Sequence, residues 1–321
     1  MKEFKSFLKP KIEKFIEYRI ISGQWNSTYE TNLHLFDKYV LNHYPCEEQL
    51  TQEMVYGWCS RRSTETSNSC RARTYVVFTF IKYLYTRKLI DFEVPIFSLK
   101  ERNNYYPHIF TADELKRFFH QCDTIGERRN NGFTEINKLT VPVFFRFLYS
   151  TGIRTTGARL LKRTDVNLLN GVISVEKTKG YDQHYIVMHD QMLSLMKQYD
   201  AEIDSVVPDR VYFFPKTQDA GFSGSWVTRN FRINWDRANP DTPAVPYDLR
   251  HNYAITNINS WTDQGFEFNS KLFFLSKSMG HSTIQSTLVY YSLVPYMADL
   301  IYEKTNHEFE EMIPEILYEE G

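Results

Sequence analysis

The 321-residue chain is poor in several residue types and patterns, and each shortage removes a class of protein. It has 4 cysteines (Cys46, Cys59, Cys70 and Cys122), none in a CxxC pair and none at zinc-site spacing. They read as free thiols of a reducing, cytoplasmic chain. Glycine and proline number 13 and 12, too few for a collagen-like, Pro-rich or wholly disordered protein. No run of 18 apolar residues exists, so a membrane-spanning helix is not expected. The opening MKEFKSFLKPKIEKF lacks an apolar signal core and reads as a charged amphipathic helix. Net charge is also nearly absent, at −1, which taken alone argues against a nucleic-acid partner.

That average hides a segregation of charge. From Asp299 to the end there are 8 acids and 1 lysine, whereas residues 1–298 hold 37 Lys/Arg against 31 Asp/Glu. Between Trp58 and Lys88 stand 7 Lys/Arg and a single acid, Glu65. A basic body with an acidic tail is a pattern that calls for an explanation. Aromatics are abundant, at 16%, but mostly at helical spacing, the mark of a core.

Apolar periodicity predicts helices over 3–20, 28–43, 52–60 and 68–88, a compact four-helix unit covering residues 1–92. The last helix carries a second, polar stripe, Arg71, Tyr75, Thr79, Lys82 and Thr86, suited to a DNA groove or its phosphates and equally to a solvated face. Residues 93–109 hold two prolines and no period and read as a linker. Thr111-Ala-Asp-Glu114 is a capping box that opens the next unit, 110–295. There, 126–138 reads as a loop and 141–150 as a helix. Val172–Glu176 and His184–Met188 flank KTKGYDQ as a β-hairpin. Helices follow near 190–203, 225–237, 247–259, 268–279 and 283–291, then an acidic segment, 296–321. The fold class is mainly α with a small β-hairpin or sheet (α+β).

Four short segments carry the chemistry: Tyr149-Ser-Thr-Gly-Ile-Arg154, Lys177-Thr-Lys179-Gly180, Tyr247-Asp-Leu-Arg250-His251, and Met279-Gly-His281 with Tyr290 and Tyr291 following. Arginine is suited to the non-bridging oxygens of a phosphodiester because its donors form a planar fork. Tyrosine is a covalent nucleophile whose pKa of about 10 calls for a base or a cationic pocket. No Mg²⁺-type cluster of acids accompanies them, so side-chain cations must carry the positive charge. No metal and no cofactor is expected.

In this order and spacing the segments resemble the tyrosine recombinase, or phage integrase, family: TGIR for its TGLR, a hairpin lysine, YDLRH for its HxLRH, and MGH for its LGH. Tyr290 stands nine residues after His281, as the family's nucleophile does. The resemblance spans nearly the whole chain. It implies an N-terminal core-binding, SAM-like helical domain and a mostly helical catalytic domain. It implies Tyr290 as nucleophile, Arg154, Arg250 and His281 on the phosphate, and Lys179 as acid for the leaving 5′ oxygen. Lys177, on the same strand face, competes with Lys179, and Tyr291 with Tyr290. Two positions depart: Gly157 stands where the family has an acid, and Tyr247 replaces the His of HxLRH, a proton acceptor for the nucleophile. Arg61, Arg62, Arg128, Arg129, Lys162 and Arg163 are further candidates for phosphate contacts.

The activity so implied is metal- and ATP-independent cleavage and rejoining of double-stranded DNA, through a 3′-phosphotyrosine and a Holliday junction. The two domains clamp the duplex. The protein is a monomer in solution and a tetramer on paired sites, with helper proteins from the same mobile element as further partners and no membrane. Because the chain opens directly into the core-binding unit, no separate arm-binding domain is expected. The same residue set also serves two other readings, a recombinase-like DNA-binding accessory protein impaired by Tyr247 and a topoisomerase-like relaxing enzyme.

Overall fold

The structure, a computed structural model, describes residues 3–92, 107–127, 135–176, 183–261 and 267–291. The chain divides into two compact units, Met1–Tyr105 and Tyr106–Gly321. Among the described residues no helix is long and apolar enough to cross a membrane.

The first unit is four helices: α1 (Lys9–Ile21), α2 (Ser27–His43), α3 (Gln52–Cys59) and α4 (Ser67–Thr86). Each start has a local cause. Proline occupies the first turn of α1, where a missing N–H is harmless. Asn26, Thr51 and Thr66 cap the other three by accepting backbone N–H groups. Leu8, Phe15, Leu33, Phe36, Val40, Val77, Phe80 and Leu84 are fully buried together. The helix expected from residue 3 begins only at Lys9. Ahead of it, the buried Asp37 carboxylate accepts from the Lys5 and Ser6 amides at 2.8 and 3.1 Å and from the Ser6 hydroxyl at 2.5 Å. Those contacts hold the first residues out of helical register.

Arg73 of α4, absent from the polar stripe, is buried. It pairs with Glu65 at 2.5 Å and donates to the carbonyls of Trp58 and Ser60, fixing the polar turn between α3 and α4. Arg73 holds the Glu65 carboxyl down at about 2. On the stripe itself, Tyr75, Lys82 and Thr86 are exposed and Arg71 and Thr79 half-buried. The Thr79 and Thr86 hydroxyls donate to carbonyls one turn back, at 2.8 and 3.0 Å, and so are not donors toward an outside partner. Arg61 and Arg62, in the turn before α4, are exposed.

In the second unit the Thr111 capping box forms as expected and starts α5 (Ala112–Asp123). His108 packs on Phe110 and Trp235 and contacts Glu114 at 3.2 Å. The next helix, α6 (Glu135–Thr151), begins six residues before the expected start, with Pro142 inside it. Proline is favoured in a first turn, which is why Val141-Pro142 reads as a beginning. After α7 (Thr155–Arg159) come β1 (Val166–Asn167), β2 (Val172–Val175) and β3 (His184–Val187), an antiparallel sheet in the order β1-β2-β3. The expected hairpin is β2–β3, with Ile173 opposite Ile186. Then follow α8 (Asp190–Val206), a second small hairpin of β4 (Pro215–Thr217) and β5 (Ala220–Gly221), α9 (Gly224–Ala238), α10 (Asp248–Asn259), α11 (Glu267–Ser278) and α12 (Gln285–Tyr291). The aromatics form the core: Phe118, Phe144, Phe145, Phe147, Phe213, Phe214, Phe231 and Trp235 are all fully buried in one cluster.

Two of the expected phosphate contacts are otherwise engaged. Arg163 pairs with Asp200 and Asp204 of α8 at 3.5 and 3.0 Å, beside the fully buried Arg210 that binds the same two acids. Lys162 pairs with Glu176 at 3.0 Å. Arg128 and Arg129 lie outside the described residues.

Candidate active site

Arg154 owes its place to a glycine. Gly152 closes α6 with φ +61°, and a Cβ there would lie 2.3 Å from the Tyr253 ring. Only glycine turns the chain so sharply against α10. Gly152→Ala combines left-handed strain with overpacking. It is expected to destabilise the second unit by about 2–4 kcal/mol and to lower the thermal midpoint by roughly 5–15 °C in a melting curve.

Arg154 follows at the start of α7, half-buried, and donates from Nη2 to the Gly280 carbonyl at 3.0 Å. Arg250, in the first turn of α10, is buried. Its Nη1 donates to the Gly152 carbonyl, and its Nη2 to the Met279 carbonyl at 2.7 Å and to His281 Nε2 at 2.9 Å. Both guanidiniums therefore converge on the turn Met279-Gly280-His281, between α11 and α12. Arg250 does not present the open bidentate fork expected from the sequence. At least three of its five N–H groups are taken, and its buried Nε has no partner among the described residues.

His281 is buried and neutral. Burial first, then the charges of Arg250 and Arg154, push its pKa down to about 4. Its Nδ1 is 2.7 Å from Thr287 Oγ1. Tyr290, in α12, is 5% exposed and packs with Ile255, Ile258, Leu272, Leu275 and Met279. Its ring stacks on His281 with centroids 6.2 Å apart and planes at 13°. Burial raises the Tyr290 pKa, with the charge of Arg250 and a hydrogen bond from it opposing. The phenol is thus protonated at neutral pH in the absence of substrate.

Tyr247 stands at the N-terminal edge of α10, 39% exposed, edge-on to His251 at 4.9 Å. Gly157 sits in α7, where a Cβ would meet Ile153 at 3.4 Å and Val175 at 3.9 Å. An acid there would face apolar side chains. Gly157→Ala fits that space and is expected to stabilise by about 0.5–1 kcal/mol, a small rise in the thermal midpoint. Lys177 and Lys179 lie outside the described residues.

Two residues of the site were missed from the sequence. His184 of β3 lies against Gly280, where a Cβ would be 2.4 Å from its ring and φ is +64°. Nothing in the sequence marks His184 except its place after the hairpin turn. Thr287 is marked only by its spacing, three residues before Tyr290.

The family model described as the phage integrase family matches residues 108–295. The chain belongs to the phage integrase family. The putative integrase/recombinase y4rE of Sinorhizobium fredii is 25% identical over 300 residues, covering 90% of this chain and 93% of the relative. The tyrosine recombinase XerD of Rickettsia conorii is 22% identical over 309 residues, 88% of this chain and 93% of that one. The integrase fold is shared with the Tn1549 transposon integrase in complex with transposon right end DNA, at TM-score 0.63 and 13% identity over 94% of this chain and 99% of that one. It is shared too with a lambda integrase tetramer bound to a Holliday junction, at TM-score 0.59 and 14% identity over 88% and 76%. This integrase is accordingly a tyrosine recombinase, mostly helical with small antiparallel sheets.

Proposed function

We propose that the protein is the site-specific recombinase of a mobile element, cleaving and rejoining double-stranded DNA through Tyr290. The observation that carries this reading is the stacking of Tyr290 on His281, beside two guanidiniums that converge on one turn.

In the cleavage step the Tyr290 oxygen bonds to phosphorus as the bond from phosphorus to the 5′ oxygen breaks. Tyr290 loses a proton and the 5′ oxygen gains one. Arg154 and Arg250 bind the non-bridging oxygens. These donors stand fixed before charge develops, which is what makes them effective. The phosphate's negative charge raises the pKa of His281; once protonated, its Nε2–H leaves Arg250 and donates to the same group while Nδ1–H stays on Thr287. Tyr247 is a poor base near neutral pH and serves as a hydrogen-bonding group. The phosphotyrosine keeps the bond energy, so a 5′ hydroxyl reverses the step without ATP. The exposed Tyr75 and Lys82, with Arg61, Arg62 and Arg71, give the first unit its phosphate contacts. Paired sites are held by four protomers, as in the lambda integrase assembly, with element-encoded helper proteins as further partners.

The test is a nicked suicide substrate carrying the element's own ends, incubated with the protein in EDTA and resolved on a denaturing gel. A covalent 3′ adduct is expected, and its absence overturns the reading. Relaxation of plasmid lacking any site would instead mark a topoisomerase-like enzyme. Lys179 is assigned as the general acid. Cleavage lost in Lys179→Ala is expected to return on a substrate with a 5′-bridging sulfur, whose leaving group needs no proton. Lys177→Ala is expected to cleave ordinary substrate.

A further inference from the structure

The contact between His281 and Thr287 joins the anion pocket to the helix that carries the nucleophile. Thr287 is fully buried in α12 and lies three residues before Tyr290, so the two side chains share a helix face. A guanidinium has donors only. The Arg250 contact to His281 Nε2 at 2.9 Å therefore makes that nitrogen the acceptor. The ring proton then sits on Nδ1 and is donated to Thr287 Oγ1 at 2.7 Å. Moving the proton to Nε2 sets an N–H against the guanidinium, and turning the ring over sets C–H groups against both partners.

We propose that Thr287 is a positioning residue for strand cleavage. Its hydroxyl accepts from Nδ1–H and so holds the His281 ring with Nε2 turned toward Arg250 and the scissile phosphate, and it fastens the Tyr290 helix to the pocket. This rests on the recombinase reading above. Its consequence is that seating the nucleophile and completing the pocket are one event. When α12 departs, His281 loses the partner that orients it, so a protomer without its tyrosine in place also has an unfinished phosphate site.

Valine has the shape of threonine without the acceptor, and serine has the acceptor without the methyl. In single-turnover cleavage of the suicide substrate at saturating protein, Thr287→Val is expected to slow adduct formation about 10- to 100-fold, while its affinity for a single DNA site stays unchanged. Thr287→Ser is expected to restore most of the rate. Long-range ¹⁵N–¹H correlation spectra give a readout independent of activity. Wild-type His281 without DNA is expected to show Nε2 as the unprotonated nitrogen, and Thr287→Val to lose that preference. The proposal is overturned if Thr287→Val cleaves at the wild-type rate, if Thr287→Ser is as slow as Thr287→Val, or if wild-type His281 carries its proton on Nε2. Should Thr287→Val not fold, the serine variant and the wild-type spectrum still decide. Failure of the wild-type protein to form any adduct strikes the recombinase reading instead, and the spectra then judge Thr287 alone.

Discussion

Tyr290→Phe is expected to leave a folded, DNA-binding protein that forms no covalent adduct. The phenyl ring keeps its packing with Ile255, Leu272 and Met279 and its stacking on His281, so stability should change by less than about 1 kcal/mol. What is lost is the oxygen that bonds to phosphorus. Cleavage is expected to fall by at least about 10⁴-fold. Tyr291 is the control. Adjacent residues on a helix point about 100° apart, so only one of the two reaches the phosphate, and Tyr291→Phe is expected to keep the adduct. Mass spectrometry of the peptide linked to the suicide substrate identifies the residue directly. An adduct on Tyr291, or one that persists in Tyr290→Phe, reassigns the nucleophile.

The second large effect is expected at Arg250. Its guanidinium holds the Gly152 and Met279 carbonyls and His281 at once, from within the protein. Lysine keeps the charge and loses the fork. A single ammonium cannot span both carbonyls and also face the imidazole. Arg250→Lys is expected to cost about 2–4 kcal/mol of stability, since hydrogen bonds to a buried charge contribute about 1.5–3 kcal/mol each and only part is recovered. Cleavage is expected to fall about 10²- to 10⁴-fold, the scale of one or two lost oxyanion donors. Melting curves and single-turnover rates on the same preparation separate the two losses. Arg154 is half-buried where Arg250 is buried and donates to the Gly280 carbonyl, so Arg154→Lys should lose activity with less cost in stability. Equal destabilisation by the two substitutions would show that the carbonyl contacts of Arg250 are not what sets it apart.

The four motif segments were legible in the sequence because phosphate chemistry needs particular side chains and the helices fix their spacing. Tyr290 is nine residues after His281 because a turn and one short helix separate them. The hairpin was legible from two short apolar runs flanking a polar turn, and the capping box at Thr111 from local chemistry alone. What the sequence hid depends on approach between distant segments. His184 belongs to the site because Gly280 has no side chain to keep its ring away. Arg163 reads as a solvated cation, yet Asp200 and Asp204, one turn apart on α8, claim it together with Arg210. Arg73 falls between two stripes of α4 and bonds backward to the preceding turn. Gly157 reads as a lost acid and proves to face Ile153 and Val175.

The clasp of Asp37 on the first residues bears on how the protein is handled. The carboxylate, 1% exposed, is satisfied by the Lys5 and Ser6 amides and the Ser6 hydroxyl. Trimming the chain to the start of α1 would strand that charge in the core and uncover the pocket filled by Phe4. An affinity handle therefore belongs ahead of residue 1, where it leaves both amides in place, and a cleavage site should not be cut into residues 3–8. A preparation nicked there would lose helical packing under α2, and its poor recombination would be mistaken for a catalytic defect.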